Sequence, residues 1–185
     1  MPWVWIGVGA AAALVLLLAL GYNRMVRLRN EVDTGWSNID VQLNRRADLI
    51  PNLVDTVRAY AAHEREVFQH VTEARAALQR AGSPRAAAVA EDALTAALGG
   101  LFAVAEAYPE LQASANFLRL QEDLTDTEDK ISAARRYYNA TVMRYNTAIQ
   151  SVPGVLFAGP MGFREREFFS AGDDARAVPA VELRA

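Results

Sequence analysis

Met1 to Asn23 carries no charged side chain, and Arg24, Arg27 and Arg29 follow at once. Trp3 to Tyr22 is an unbroken run of valine, isoleucine, leucine, alanine, glycine and aromatics. At about 1.5 Å per residue, a helix of this length crosses a hydrocarbon core roughly 30 Å thick. Trp3 and Trp5 at one end and Tyr22 at the other fall where amphipathic rings favour the membrane–water interfaces. A cleaved signal peptide fits less well, because it calls for a basic start, a shorter apolar core and a small-residue cleavage site. The sequence therefore predicts a retained anchor over 1–23. Its basic flank lies on the C-terminal side, so the positive-inside rule places the N-terminus outside and everything from Arg24 onward in the cytoplasm.

The rest of the chain is long enough for one domain with its own core. With no cysteine in the sequence, disulfides, thiolate metal sites, cysteine nucleophiles and a lipoprotein anchor are all excluded. Of the 19 basic residues three form the juxtamembrane cluster, leaving 16 against 22 acidic ones. Such an acidic body argues against nucleic acid as a partner, since that needs a basic face. The three arginines suit anionic lipid headgroups.

Helical periodicity dominates the chain beyond the basic cluster. From Val32 through Trp36, Ile39, Leu43, Arg46, Ile50, Leu53, Val57, Tyr60, Glu64, Val67, Val71, Ala74 and Leu78, steps of four and three alternate, with Arg46 and Glu64 the only charges on the seam. Seams of this kind belong to helices packed nearly parallel along their length. Pro51 interrupts the backbone donors, yet the apolar phase continues across it. The continuity favours one long helix kinked at Pro51, and a break into two antiparallel helices stays open. Ala81-Gly82 ends the run; Ser83 and Pro84 supply an N-cap and a first helical residue. The alanine-rich helix from Pro84 to about Ala107 presents Val89, Leu94, Leu98, Leu101 and Phe102 as its stripe. After the turn at Tyr108-Pro109, Ser114 is placed to cap a last helix reaching about Ser151. Its seam runs Phe117, Leu120, Leu124, Thr127, Ile131, Ala134, Tyr138, Thr141, Tyr145 and Ala148. Residues 152–170 form a short apolar segment suited to packing on the bundle or touching the bilayer. Residues 171–185 have few large apolar groups and are expected to be disordered.

Little here points to chemistry. A zinc-peptidase motif built on His63-Glu64 would need histidine at Val67. His63 and His70, two turns apart, read as helix-surface residues. Glu122, Asp123, Asp126, Glu128 and Asp129 lack the spacing of a calcium loop and read as a solvated face paired in part with Arg119 and Lys130. Arg46 and Glu64 have two equal readings: register-setting charges bonded to the last helix, or long side chains that snorkel to solvent. Tyr60, Tyr138 and Tyr145 read as core residues with a hydroxyl partner. In the span, Gly7 with Ala11 and Gly9 with Ala13 put small residues four apart on one face. That pattern suits helix association in lipid, and it also suits the ordinary composition of a span.

Four blocks carry a family resemblance. Tyr22-Asn23, Leu28-Arg29-Asn30, Trp36-Ser37-Asn38-Ile39-Asp40 and Arg45-Arg46-Ala47-Asp48-Leu49-Ile50-Pro51 form the first. Tyr60-Ala61-Ala62-His63-Glu64 is the second. Ala107-Tyr108-Pro109-Glu110-Leu111, Asn116-Phe117 and Leu120-Gln121 form the third. Tyr138-Asn139 and Tyr145-Asn146-Thr147, running to Pro153, complete the set. In order and over 22–170, the chain resembles the LemA family of bacterial membrane proteins. Asn44 and Gln112 replace usual lysines, and Val152 replaces an aromatic. The resemblance implies an up-and-down bundle of four helices behind one span, no established enzymatic activity, and a bacterial cytoplasmic-membrane location. A family relative acts in magnetosome membrane biogenesis, and family genes often neighbour membrane proteases.

The expectation is thus an all-α chain: one N-terminal transmembrane helix, then an antiparallel long-helix bundle over 24–151. It has three helices, or four if the helix kinked at Pro51 counts as two. Its expected role is a non-enzymatic membrane scaffold without cofactor or metal. Its expected partners are the lipid bilayer, further copies of itself and other membrane proteins, a membrane protease among the candidates. A small-molecule or cation-binding sensor is the alternative.

Overall fold

The computed structural model describes residues 1–170, so the expected disordered tail, 171–185, lies outside the described residues. Five helices occur in chain order: α1 (Pro2–Arg58), α2 (Arg65–Arg80), α3 (Pro84–Glu106), α4 (Pro109–Gln112) and α5 (Ala115–Gln150), followed by a 3-10 turn at Gly154–Leu156. No strand occurs among the described residues.

Helix α1 passes without a break from the apolar run into the domain. From Pro2 to Leu17 it is exposed on every side, and it is long and apolar enough to cross a membrane. From Met25 onward its buried positions Val32, Ile39, Leu43, Arg46, Ile50, Leu53 and Val57 follow the predicted seam, while Gly35 is buried in place of Trp36, which is half-buried. Pro51 sits inside the helix without ending it.

The single long helix expected to continue to Leu78 is not formed. The chain turns at Ala59–Glu64, and α2 runs back along α1. Arg58 stacks on Phe68, and Arg75 reaches Ala47. Phase continuity misleads because Tyr60 and Glu64 keep the three-four spacing although the chain reverses between Val57 and Val67, while each helix keeps its own stripe inward. The fourth helix thus comes from this turn and not from Pro51. Two seam residues change role. Tyr60 is 41 % exposed rather than core, and Glu64 stands half-buried at the N-cap of α2, off the core seam.

Helix α3 starts as expected, with the Ala86 N–H donating to Ser83 Oγ at 3.2 Å and Pro84 in first position. Its buried face is Ala87, Ala90, Glu91, Leu94, Leu98, Leu101 and Ala105. Val89 is half-exposed and does not belong to it. This helix is also long and apolar enough to cross a membrane, but its apolar face packs on α2. Ser114 occupies the N-cap of α5 without a side-chain cap bond.

Helix α5 pairs antiparallel with α1 over its whole length. Asn116 meets Thr56 at the far end, Arg45 meets Asp126 in the middle, and Arg144 meets Glu31 lower down. At Gly35 the helices cross closely: a Cβ there would lie 3.4 Å from the Tyr138 Cα and Thr141 Oγ1. The α2–α3 hairpin covers the distal half of this pair. The proximal half is covered differently, by residues 157–169.

Candidate functional site

Two constructions hold the pair together, and both use polar groups that stand out in the sequence. The distal one centres on Arg46. Its guanidinium, only 5 % exposed, pairs with Glu91 of α3 and, at 2.6 Å, with Glu128 of α5. Of the two readings of Arg46, the structure shows the buried, paired charge and not a side chain that reaches solvent, and Glu91 of α3 joins the expected partner on the last helix. A signal existed, since Glu91 falls in phase with Ala87, Leu94, Leu98 and Leu101 and is the one charged residue on that face. Thr95 donates to Glu91 at 3.2 Å. Burial pushes the Glu91 carboxyl above its ordinary range, opposed by the Arg46 charge. A buried charge must be paired, because removing it from water costs several kcal/mol.

The acidic face beside it is paired in part, through Asp126 and Glu128. Asp126 pairs with Lys130 at 2.8 Å and Arg45 at 3.4 Å, and the hydrogen bond from Lys130 holds its carboxyl below the usual range. Arg119, expected to share this role, makes no ion pair among the described residues. His63 and His70 are exposed. No group of three or more histidine, aspartate or glutamate side chains converges among the described residues in a way that could hold a metal ion.

The proximal construction is a strap. After α5 the chain turns at Pro153-Gly154, where a Cβ on Gly154 would collide with the Ala148 carbonyl and Met25. It then runs extended along the α1–α5 groove. Asn146 Oδ1 accepts from the Arg166 N–H and its Nδ2 donates to the Arg166 carbonyl, both at 2.9 Å. Asn139 does the same for Phe169, at 2.9 and 3.2 Å. Each amide thus treats one residue of the strap as a neighbouring strand would. The spacing fits: seven helical residues and three extended ones both span about 10 Å. Tyr138 Oη donates to the Glu167 carbonyl at 2.8 Å, Gln150 to Glu165 at 2.8 Å, and Arg166 to Asp33 at 2.9 Å.

Apolar contacts complete the strap. Trp36 lies against Tyr138 and Phe169, with ring centroids 6.0 and 6.4 Å apart, and Phe163 meets Tyr22 edge-on at 5.6 Å with Arg29 over its other side. Tyr138 and Tyr145 are core residues as expected. Burial pushes the Tyr138 hydroxyl up to about 12 and raises Tyr145 as well. Within the segment 152–170, Phe157, Ala158, Phe163 and Phe169 pack on the bundle, while Val152, Val155 and Leu156 stay exposed. The remaining singled-out residues have simpler places. Phe117 is buried beside Phe102, Tyr108 and Pro109 start α4, and Asp40 and Gln121 are exposed on α1 and α5. Gly7 and Gly9 face open space in the span.

A helical bundle grown directly from a candidate membrane span, with its C-terminal segment strapped down by asparagine side chains, is the class of protein these features define. The chain belongs to the LemA family, whose sequence profile matches residues 35–183. Among its relatives are the magnetosome protein MamQ of Magnetospirillum gryphiswaldense and magnetosome protein MamQ 2 of Paramagnetospirillum magneticum. Each is 29% identical over 189 residues, covering 86% of this chain and 70% of the relative. Protein LemA of Metamycoplasma hominis is 27% identical over 164 residues, covering 88% and 75%.

Proposed function

We propose that this protein is a membrane-anchored, non-enzymatic scaffold that holds partners at a fixed height and orientation over the bacterial cytoplasmic membrane, with its N-terminus outside and its bundle inside. The observation that carries this reading is the continuity of α1. One uninterrupted helix leads from the candidate span to the tip of the bundle, and α5 stiffens it over the whole exposed length. From Gly21 to Thr56 that rise is about 50 Å. The polar groups brought together here serve packing: the buried charges pair with one another, and the asparagines bind backbone.

The reading is tested on the full chain extracted in mild detergent. A scaffold is expected to run as an oligomer and to capture other membrane proteins, a membrane protease among the candidates. Gly9→Leu or Ala13→Leu should reduce its size if the small face of the span mediates assembly. A monomer whose melting temperature instead rises on titration with calcium or magnesium would favour the cation-sensor alternative. Orientation is tested by a reporter fused after Ala185. Activity of a cytoplasm-only reporter is expected, and activity of an export-only reporter alone would reverse the topology.

A further inference from the structure

The strap begins with a turn that is apolar on the wrong side for a soluble protein. Val152 is 80 % exposed and Leu156 73 %, with Val155 and Met161 also open. The same turn sends Phe157 and Ala158 inward to the core, so its two faces are both apolar. Its height is fixed by contacts. Phe157 packs on Gly21 so closely that a Cβ there would lie 2.6 Å from the Phe157 ring, and Phe163 meets Tyr22. Gly21 and Tyr22 are the last residues of the apolar run, where a spanning helix leaves the hydrocarbon. Just above lie Arg24 and Arg27, and Arg144 of α5 lines the same cavity of about 400 Å³ as Arg24.

We propose that the turn over residues 152–161 is a second membrane contact, a wedge that sits in the interfacial layer of the leaflet beside the span, with Val152, Val155, Leu156 and Met161 facing lipid. The occupant is the bilayer because the span, on which this inference rests, already places it there. An apolar patch held one residue from the end of a span cannot avoid the headgroup–acyl boundary, and burial of apolar area in that layer is favourable. The arginines just above lie at phosphate level, where anionic lipid complements them. A span alone leaves a bundle free to tilt and spin. A wedge attached through Phe157 and Gly21 gives the protein a second point of support and fixes which face of the bundle looks along the membrane.

The absence of cysteine makes the test direct. Single cysteines at Leu156, at Leu14 in the span and at Gln69 on exposed α2 carry nitroxide labels in the full chain, reconstituted in phosphatidylethanolamine–phosphatidylglycerol vesicles. Collision with oxygen, which concentrates in lipid, is compared with collision with a water-soluble nickel chelate. The Leu156 label should resemble Leu14, with nickel accessibility several-fold below that at Gln69. A Leu156 label as nickel-accessible as Gln69, with Leu14 protected, would overturn the wedge and leave the span intact. Nickel access at Leu14 would overturn both. A label at Val152 with Leu156→Glu alongside should move toward water; an unchanged, protected Val152 would mean the label and not the turn seeks lipid, and would also overturn the wedge.

Discussion

Arg75 Nε donates to the Ala47 carbonyl at 2.7 Å across the α1–α2 interface. Ala47 is four residues before Pro51, so its carbonyl is the acceptor that Pro51, lacking an N–H, leaves without an intrahelical donor. The proline that does not break α1 thus creates the backbone group to which α2 attaches. Arg75→Met should cost about 1.5–3 kcal/mol, the range for a hydrogen bond involving a charged group. Pro51→Ala restores a local donor, so in that background Arg75→Met should cost markedly less. Thermal unfolding of the four proteins followed by circular dichroism closes the cycle, and equal costs in both backgrounds would break the connection.

Removing Arg46 strands Glu91 in the core. Arg46→Met should destabilise the bundle by about 3–5 kcal/mol, whereas Arg46→Met with Glu91→Leu should recover much of the loss. Denaturant unfolding of the full chain in detergent measures both.

The same carboxyl predicts a pH dependence. Its acidity in the fold is weakened by burial, so in the window just above the ordinary glutamate value of about 4.3 the native state holds a proton that the unfolded chain has released. Glu91 therefore contributes a loss of stability as pH rises through that window. Glu91→Gln should remove this part of the slope, measured as melting temperature against pH; an unchanged slope would contradict it.

Each asparagine of the strap makes two hydrogen bonds to the extended backbone. Asn139→Leu or Asn146→Leu should each cost about 1–3 kcal/mol at about 0.5–1.5 per bond. Released strap should also become cleavable by trypsin after Arg164 and Arg166 well before the helices are cut. Cleavage at wild-type rates would show that the apolar contacts alone hold it.

Tyr138, pushed up to about 12, should ionise well above an unfolded tyrosine. Between about 10, where an unfolded tyrosine ionises, and 12 the native state retains a proton the unfolded chain lacks, so stability falls as pH rises there. Ultraviolet titration of the wild type against Tyr138→Phe isolates this step, and a Tyr138 transition near 10 would refute it.

Much of the architecture is legible in the sequence because it rests on local rules. The seams of α1 and α5, the Ser83 cap and the charge-free span all depend on neighbours within one or two turns. What escapes depends on groups distant in sequence. The turn at Ala59–Glu64 is hidden because Tyr60 and Glu64 keep the spacing of the seam while the chain reverses. Arg75 gives no sign, since its partner is a backbone carbonyl freed by a proline far upstream. Asn139 and Asn146 are marked only by family resemblance: nothing about a helix face tells that two amides at a spacing of seven will match an extended chain that arrives later. Arg46 stands out as a charge on an apolar seam, but its pairing with α3 needs the fold.

The unbroken passage of α1 from the candidate span into the bundle keys one to the other by angle as well as by distance. Each helical residue advances the chain about 1.5 Å and turns it about 100°. Deleting Asn23 alone would therefore swing Gly21 out from under Phe157 and point a different side of the span at the strap, while inserting a whole turn would nearly restore the bearing but not the height. The count of residues between Gly21 and Met25 is therefore constrained, because it sets the compass heading of everything above.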